Sequence, residues 1–190
     1  VCQPTASVPA TLVIGQAYLK VDERVQEALA LRALRILSAN AAAFANTAPM
    51  DLWPLLVGYL STYLPDWLPP GVDAAKNAAI RDRIQKAMPQ SMDRDLPMLA
   101  ADVAASIGNR GSQLGIAVQQ WGSRTALLAL GSPNTSLSAI AAANGQQERL
   151  GKDPAERQKW LLRNPEARDL VVFSVSDPYL QARAQGLTRR

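Results

Sequence analysis

The side chains of this sequence that could do chemistry are carboxylates, hydroxyls and one thiol. The 190 residues include no histidine and a single cysteine, Cys2. Histidine is the commonest general base and metal ligand, and a lone cysteine forms neither a disulfide nor a thiolate cluster within its own chain. The composition therefore excludes serine–histidine and cysteine–histidine catalysis within this chain, and zinc held by histidines or by clustered cysteines.

Sixteen acidic residues remain as candidates for catalysis by carboxylates. Glycoside hydrolysis needs two acids that converge in a cleft, and the sequence does not show such convergence. Five aspartates stand at expected helix starts, where their oxygens accept from free amides: Asp22, Asp51, Asp73, Asp95 and Asp153. We therefore predict no catalytic residues, no metal and no cofactor, with a hydrolase that uses carboxylates alone as the alternative.

The size and charge of the chain are typical of one soluble globular domain. Hydrophobic residues make up 48% of it, enough to bury a core, and prolines interrupt its apolar stretches, so we expect no membrane span. A formal net charge of +4, spread among acids, favours solubility over phosphate binding. We predict a single domain over residues 1–190, with a subdomain boundary at 65–72 left open. Because residues 1–4 show no signal peptide, the cytoplasm is the default location, although such a start is typical of a fragment.

The spacing of apolar and helix-breaking residues predicts a mainly α fold. We expect a compact multi-helix domain of about eight or nine helices, with at most one short N-terminal β-strand near residues 10–15. The best-defined helix begins after Asp22 and runs to about Ala43, with Val25, Leu29 and Ile36 along one side. Further helices are expected after Asp51, which would cap a helix with Pro54 in its first turn, and after the later capping residues.

Four aromatic residues are grouped within fifteen positions: Trp53, Tyr59, Tyr63 and Trp67. Such a group suits a docking surface, and it equally suits an aromatic ridge in the core with Tyr59 and Tyr63 stacked one helical turn apart. The core interpretation is favoured from sequence, and the four residues stay candidates for interaction with a protein partner.

One expected helix carries four basic residues, namely Lys76, Arg81, Arg83 and Lys86. A nucleic-acid surface would need basic residues on one face. An ordinary solvated face, with a cationic last turn that suits the helix dipole, accounts for the same residues. Nucleic acid is therefore not the favoured partner.

Two segments resemble parts of HtpX-type and CAAX-type zinc peptidases. The first is Thr-Leu-Val-Ile-Gly at 11–15, followed by Val-Asp-Glu-Arg-Val-Gln-Glu-Ala-Leu-Ala at 21–30. It looks like the strand, turn and acidic helix start that lead into the histidine-glutamate-x-x-histidine helix of that family. In this register the resemblance puts Leu31 and Arg35 at the two metal-binding histidines and Arg32 at the catalytic glutamate.

The second segment is Val-Gln-Gln-Trp-Gly-Ser-Arg-Thr-Ala-Leu-Leu at 118–128. It is similar to the family helix that bears a glutamate ligand and then an alanine-aspartate-arginine step. Here Gln119 would replace the third ligand and Ser123 the acid, and only Arg124 is retained. Residues 168–180 are similar to the closing segment of large myxobacterial proteins that carry such domains.

The resemblance implies a bacterial peptidase-like domain in which every metal ligand is replaced. Leucine, arginine and glutamine cannot form a zinc site with an open position. We therefore expect a non-catalytic interaction or structural module, part of a larger assembly or chain, that binds a protein partner and no small-molecule substrate. Leu31 and Leu34 would be buried in an apolar stripe, and Arg32 or Arg35 would pair with Glu23, Glu27 or a carboxylate of a neighbouring helix. Arg32 and Arg35 join the four aromatic residues as candidates for interaction with the partner.

Overall fold

The protein is mainly α-helical. A computed structural model describes residues 2–88, 94–150 and 153–188. Within these residues it contains ten α-helices, three 3₁₀ helices and one two-stranded antiparallel sheet, which confirms the predicted fold class.

The two β-strands come first in the chain, and all helices follow them. The strands are β1 (Cys2–Thr5) and β2 (Thr11–Ile14). The α-helices are α1 (Glu23–Ser38), α2 (Ala42–Asn46), α3 (Pro49–Tyr63), α4 (Ala74–Ala87), α5 (Leu96–Ile107), α6 (Leu114–Leu130), α7 (Pro133–Ala143), α8 (Pro154–Arg163), α9 (Pro165–Ser174) and α10 (Asp177–Thr188). The 3₁₀ helices cover Gln16–Lys20, Gly108–Gln113 and Gln147–Leu150.

The N-terminal sheet has one strand more than the sequence predicts. β2 lies where a strand is expected, and β1 pairs with it antiparallel, with Cys2 opposite Ile14 and Thr5 opposite Thr11. A lone strand would leave its backbone amides and carbonyls without partners, so β2 requires a neighbour. Pro4 lacks an amide hydrogen and hides the strand character of β1 in the sequence.

Most predicted helix caps are confirmed, because the capping side chains accept hydrogen bonds from backbone amides of the first turn. The side chain of Asp22 accepts from the amide of Arg24, and that of Asp73 accepts from two amides of α4. Asp153 caps α8 in the same way, and Asn164 caps α9. These interactions span two or three residues, so the local sequence is enough to specify them.

Two predicted helix boundaries are wrong for local reasons. α1 ends at Ser38 instead of Ala43, because Asn40 adopts a left-handed conformation at φ 53° and the amides of Asn40 and Ala41 bond back into the last turn. This is a Schellman termination, in which asparagine is a common substitute for glycine. α3 begins at Pro49, so Asp51 lies in the first turn without being the cap and Pro54 lies inside the helix.

The chain forms two compact units. The first comprises residues 1–46 and 116–190, and the second comprises 47–115. The proline-rich segment 65–72 lies between α3 and α4 within the second unit. A single domain over the whole chain stays a prediction.

The core of the first unit is rich in alanine, which lets helices approach closely. α1 packs against α7 and against β1. One cluster of buried residues joins the sheet to the helices: Cys2, Val25, Ala28, Leu29, Ala33, Ala126, Ala139 and Ala142. A second cluster lies under the C-terminal helices: Leu127, Ile140, Ala141, Trp160, Ala167, Leu170 and Tyr179.

The second unit is built on α3, which packs against α4, α5 and the 3₁₀ helix at 108–113. Gly58 of α3 lies against Ile80 of α4, and Gly111 lies against the indole of Trp53. Ser61 and Asn77 share a buried hydrogen bond of 3.1 Å between the two helices. Close approach at Gly58 and this polar contact fix how α3 packs against α4, and close approach at Gly111 fixes how α3 packs against the 3₁₀ helix.

Candidate functional site

A buried ion pair joins α1 to α9, and a serine hydroxyl connects α6 to the same pair. Nε of Arg32 on α1 lies 2.9 Å from Oε1 of Glu166 on α9, and Nη2 of the same guanidinium lies 3.3 Å from Oε2. The hydroxyl of Ser123 on α6 donates to Glu166 Oε1 at 2.5 Å. The two charged side chains are only 10% and 4% exposed. A buried charge is tolerated only when it is paired and hydrogen-bonded, and both conditions hold here.

The helix periodicity of α1 accounts for the burial of Arg32. Val25, Leu29 and Ile36 are buried, and Arg32 lies seven residues after the first and four before the last. Residues at these spacings share one helix face. Arg32 therefore points into the protein with the apolar stripe, and burying it requires a carboxylate partner.

Glu166 is held in place by the start of α9. Pro165 is the first residue of that helix, and the Asn164 side chain caps it by accepting from the amide of Ala167 at 3.0 Å. A carboxylate in the first turn also suits the positive end of the helix dipole. Local capping thus fixes the residue that completes the ion pair.

The structure brings together two of the positions singled out by the peptidase resemblance. Arg32, at the position of the catalytic glutamate, and Ser123, at the position of the acid, lie 3.2 Å apart between Nε and Oγ. Arg124, the retained family residue, forms a two-bond ion pair with Asp169, with 2.9 Å between Nε and Oδ2.

The three positions that would bear metal ligands have different neighbours. Leu31 is partly buried against the first core cluster. The Arg35 guanidinium stacks over the Trp121 ring, 3.8 Å from its centroid, whereas Gln119 donates to the Ala45 carbonyl at 2.9 Å. None of these contacts joins two of the three positions.

Two expectations about α1 have opposite outcomes. The predicted pairing of Arg32 or Arg35 with a carboxylate is confirmed, because Arg32 binds Glu166 on a neighbouring helix. The predicted burial of Leu34 is wrong, since this side chain is 52% exposed. Leu34 lies two residues from Arg32 and Ile36 and so faces away from the buried stripe.

A polar cavity of about 250 Å³ lies beside Arg32. Four carboxamide side chains contribute to its lining, those of Gln3, Asn46, Gln119 and Asn144. Cys2 also lines it, and burial raises the pKa of this thiol while the charge of Arg32 opposes the increase. A thiol whose pKa is raised is a weak nucleophile. The groups around this cavity are therefore suited to hydrogen bonding more than to proton transfer or covalent catalysis.

Three of the carboxylates that a carboxylate-only hydrolase could use form ion pairs with basic side chains. Glu166 binds Arg32, Asp169 binds Arg124, and Glu156 binds Lys159. In the described ranges 2–88, 94–150 and 153–188, no three histidine, cysteine or acidic side chains lie together as a metal-binding group.

The four aromatic candidates all lie in the second unit, and none of them is fully buried. Tyr59 and Tyr63 of α3 meet edge to face with ring centroids 5.4 Å apart, and the Tyr63 hydroxyl donates to that of Tyr59 at 3.4 Å. The predicted contact between Tyr59 and Tyr63 is therefore confirmed. Tyr59 is 41% exposed, and Trp53, Tyr63 and Trp67 are partly buried, so none of the four is fully buried in the core. Burial and the Tyr59 hydroxyl raise the pKa of Tyr63 to about 12.

The four basic residues of α4 have different surroundings. Lys76, Arg83 and Lys86 are exposed, whereas Arg81 is partly buried and its Nε is without a hydrogen-bond partner in the described structure. Arg83 also borders an apolar groove formed with Leu55 and Ile84. Lys76, Arg83 and Lys86 lie seven and three residues apart and so share one side of α4, whereas Arg81 lies away from that side. That nucleic acid is not the favoured partner stays a prediction.

Comparison with models of known protein families, with curated proteins and with solved structures finds no match to this chain. Among the described residues, none of the helices combines the length and the apolar character needed to cross a membrane.

Proposed function

We propose that this chain is a non-catalytic protein-interaction or structural module, a degenerate HtpX/CAAX-type peptidase-like domain within a larger bacterial assembly or polypeptide. The observation that carries the proposal is the burial of Arg32 against Glu166. In the proposed register, Arg32 stands where a catalytic glutamate would act as general base. A permanently charged guanidinium cannot accept a proton from water.

The ion pair supplies a structural role for the former catalytic helix. It connects α1 to α9, and Ser123 adds α6 to the same network. A metal ion bound by several helices would hold them together in a similar way. The hydrogen-bonded pair therefore replaces a metal-based crosslink with one that needs no ion.

An exposed apolar stripe on α3 is the surface we assign to the partner. Leu55, Tyr59 and Tyr63 follow one another at intervals of four residues, so they lie on one face of the helix. Leu55 and Tyr59 are 44% and 41% exposed. Exposed aromatic and aliphatic side chains in one patch are typical of protein–protein contacts.

The non-catalytic half of the proposal is tested by metal analysis and peptide hydrolysis. The purified chain is incubated with zinc, desalted, analysed for bound metal and assayed on a mixture of quenched fluorescent peptides with and without a chelator. We expect substoichiometric zinc and no chelator-sensitive cleavage. Stoichiometric zinc with cleavage that the chelator abolishes would overturn the proposal.

The interaction half is tested by affinity capture from the native source with matched surface variants. The test variant is Leu55→Ser with Tyr59→Ser, and the control is Leu162→Ser with Val172→Ser, two side chains each 64% exposed on the first unit. We expect a partner captured by the wild type and the control to be lost with the test variant. Equal capture by all three, with unchanged circular dichroism, would contradict the assignment of this surface.

A further inference from the structure

A second cavity, which shares only Asn144 with the lining of the one beside Arg32, lies on the first unit and is bordered by cations. Its volume is about 270 Å³, and it is lined by residues of the 3₁₀ helix at 147–150, α8 and the start of α9. Three of the lining side chains are basic, Arg149, Lys159 and Arg163, and one is acidic, Glu156. Lys159 and Arg163 lie four residues apart on α8 and so share a face of the helix.

The base of this cavity is fixed by Trp160. The indole is 5% exposed and belongs to the second core cluster. Its Nε1 donates to the side-chain Oε1 of Gln146 at 2.7 Å. The backbone amide of Gln146 donates to the Ala141 carbonyl at 2.7 Å, which holds that residue in place. The exposed cations therefore surround a base that is fixed by core packing and by these hydrogen bonds.

The charges around the cavity leave a positive excess. Glu156 contacts Lys159 at 2.8 Å, but these side chains are 61% and 62% exposed, so the pair is weak. Arg149 and Arg163 have no ion pair within the described part of the chain. Asn164 ends α8 and caps α9, so the negative end of one helix dipole meets the positive end of the other at this residue. The positive potential of the cavity therefore comes from its basic side chains.

We infer that this cavity binds the phosphate group of a small molecule. Guanidinium groups donate in a planar fork that matches phosphate oxygens, and two arginines line this cavity together with a lysine. The cations border one concave site instead of following a track along the surface, which favours a compact anion over a nucleic-acid strand. This site is an addition to the interaction role and uses none of the residues of the Arg32 network.

Calorimetric titration with inorganic pyrophosphate tests the inference on the full chain. We expect saturable binding of one pyrophosphate that weakens as sodium chloride is added. Replacing both arginines, Arg149→Gln with Arg163→Gln, should weaken binding at least about tenfold, because charge-assisted bonds are lost. Arg168→Gln is the matched control, since Arg168 is exposed on α9 and does not line the cavity. It should bind as the wild type does.

A variant expected to bind pyrophosphate more tightly shows that a loss of binding in the arginine variant is not caused by misfolding. Glu156→Gln removes the acid and releases Lys159, so binding should strengthen by about two- to fivefold. The inference fails if pyrophosphate does not bind, if the arginine pair and Arg168 contribute equally, or if Glu156→Gln weakens binding. It also fails if an oligonucleotide or an anionic lipid vesicle binds through the two arginines and pyrophosphate does not.

Discussion

Arg32 and Glu166 are joined by two hydrogen bonds inside the protein although they lie 134 residues apart in sequence. Each residue is placed by its own local structure, Arg32 by the buried stripe of α1 and Glu166 by the capped start of α9. The pair therefore depends on the packing of the first unit as a whole. Variants that disturb this packing should show how much stability depends on it.

The contact between α1 and α6 predicts an unusual response to alanine at Gly122. A Cβ atom there would lie 3.0 Å from the Arg32 carbonyl oxygen and 3.3 Å from Cδ1 of Ile36. Alanine is better than glycine inside a helix by about 1 kcal/mol, but a backbone carbonyl cannot rotate out of the way. We expect Gly122→Ala to lower the free energy of unfolding by about 1–3 kcal/mol in urea titrations.

Gly186 of α10 provides the matched control for this substitution. Nothing lies within 4 Å of an added Cβ at that position. Gly186→Ala should leave stability unchanged or raise it by up to about 1 kcal/mol. If both alanine variants are as stable as the wild type, the close approach of α1 and α6 is refuted.

The Arg124–Asp169 pair should contribute much less than the buried pair. The Arg124 side chain is 41% exposed, and its guanidinium also lies over the Phe173 ring at 4.9 Å from the centroid. The hydrogen bond with Asp169 raises the pKa of Arg124. Arg124→Gln should cost about 1 kcal/mol, including the ring contact, and the cost should shrink at high salt. A loss of several kcal/mol that salt does not change would disagree with this geometry.

Tyr63 should ionise only in strongly alkaline solution. Its pKa is raised from 10.0 to about 12 by burial, and by the Tyr59 hydroxyl to which it donates. A raised folded pKa means that its contribution to stability is complete below pH 10 and is lost between about pH 10 and 12. In Tyr63→Phe, the ultraviolet titration should lose the component with a midpoint near 12. Loss of a component near 10 instead would contradict the burial of this hydroxyl.

Cys2 should be protected from thiol reagents in the folded protein. The side chain is 3% exposed, and burial raises its pKa, so little thiolate is present near neutral pH. Labelling with a disulfide reagent should be slow in buffer and fast in urea.

Asn46 should control this protection, because its Nδ2 donates to the Pro4 carbonyl of β1 at 2.6 Å. Asn46→Ala should therefore speed the labelling of Cys2. Asn134→Ala, at an exposed site on α7, should not. Rapid labelling of the wild type would show that β1 does not stay packed on α1.

Local features of the fold could be predicted from sequence, and the partner of Arg32 could not. The caps at Asp22, Asp73 and Asp153 depend on interactions over two or three residues, so residue type and position specify them. The sequence predicts the end of α1 too late, because asparagine indicates a left-handed residue less clearly than glycine does.

One feature of the sequence indicates the position of the buried ion pair. Arg32 lies at helical spacing between Leu29 and Ile36, which indicates that it is buried with them. Such burial predicts a carboxylate partner, and the structure confirms that Arg32 has one. Nothing local identifies it as Glu166, because that choice depends on how α9 packs against α1.

A double-mutant cycle on the buried ion pair tests the central claim most directly. The free energy of unfolding is measured in urea for the wild type, Arg32→Met, Glu166→Leu and the double variant, each with and without a chelator. We expect each single variant to lose about 3–5 kcal/mol, because the other charge stays buried without a partner, and the double variant to recover most of that loss. The chelator should change none of the four values. Single variants that each cost less than about 1 kcal/mol and add up in the double, or a wild type that the chelator destabilises, would contradict an ion pair that holds these helices in place of a metal.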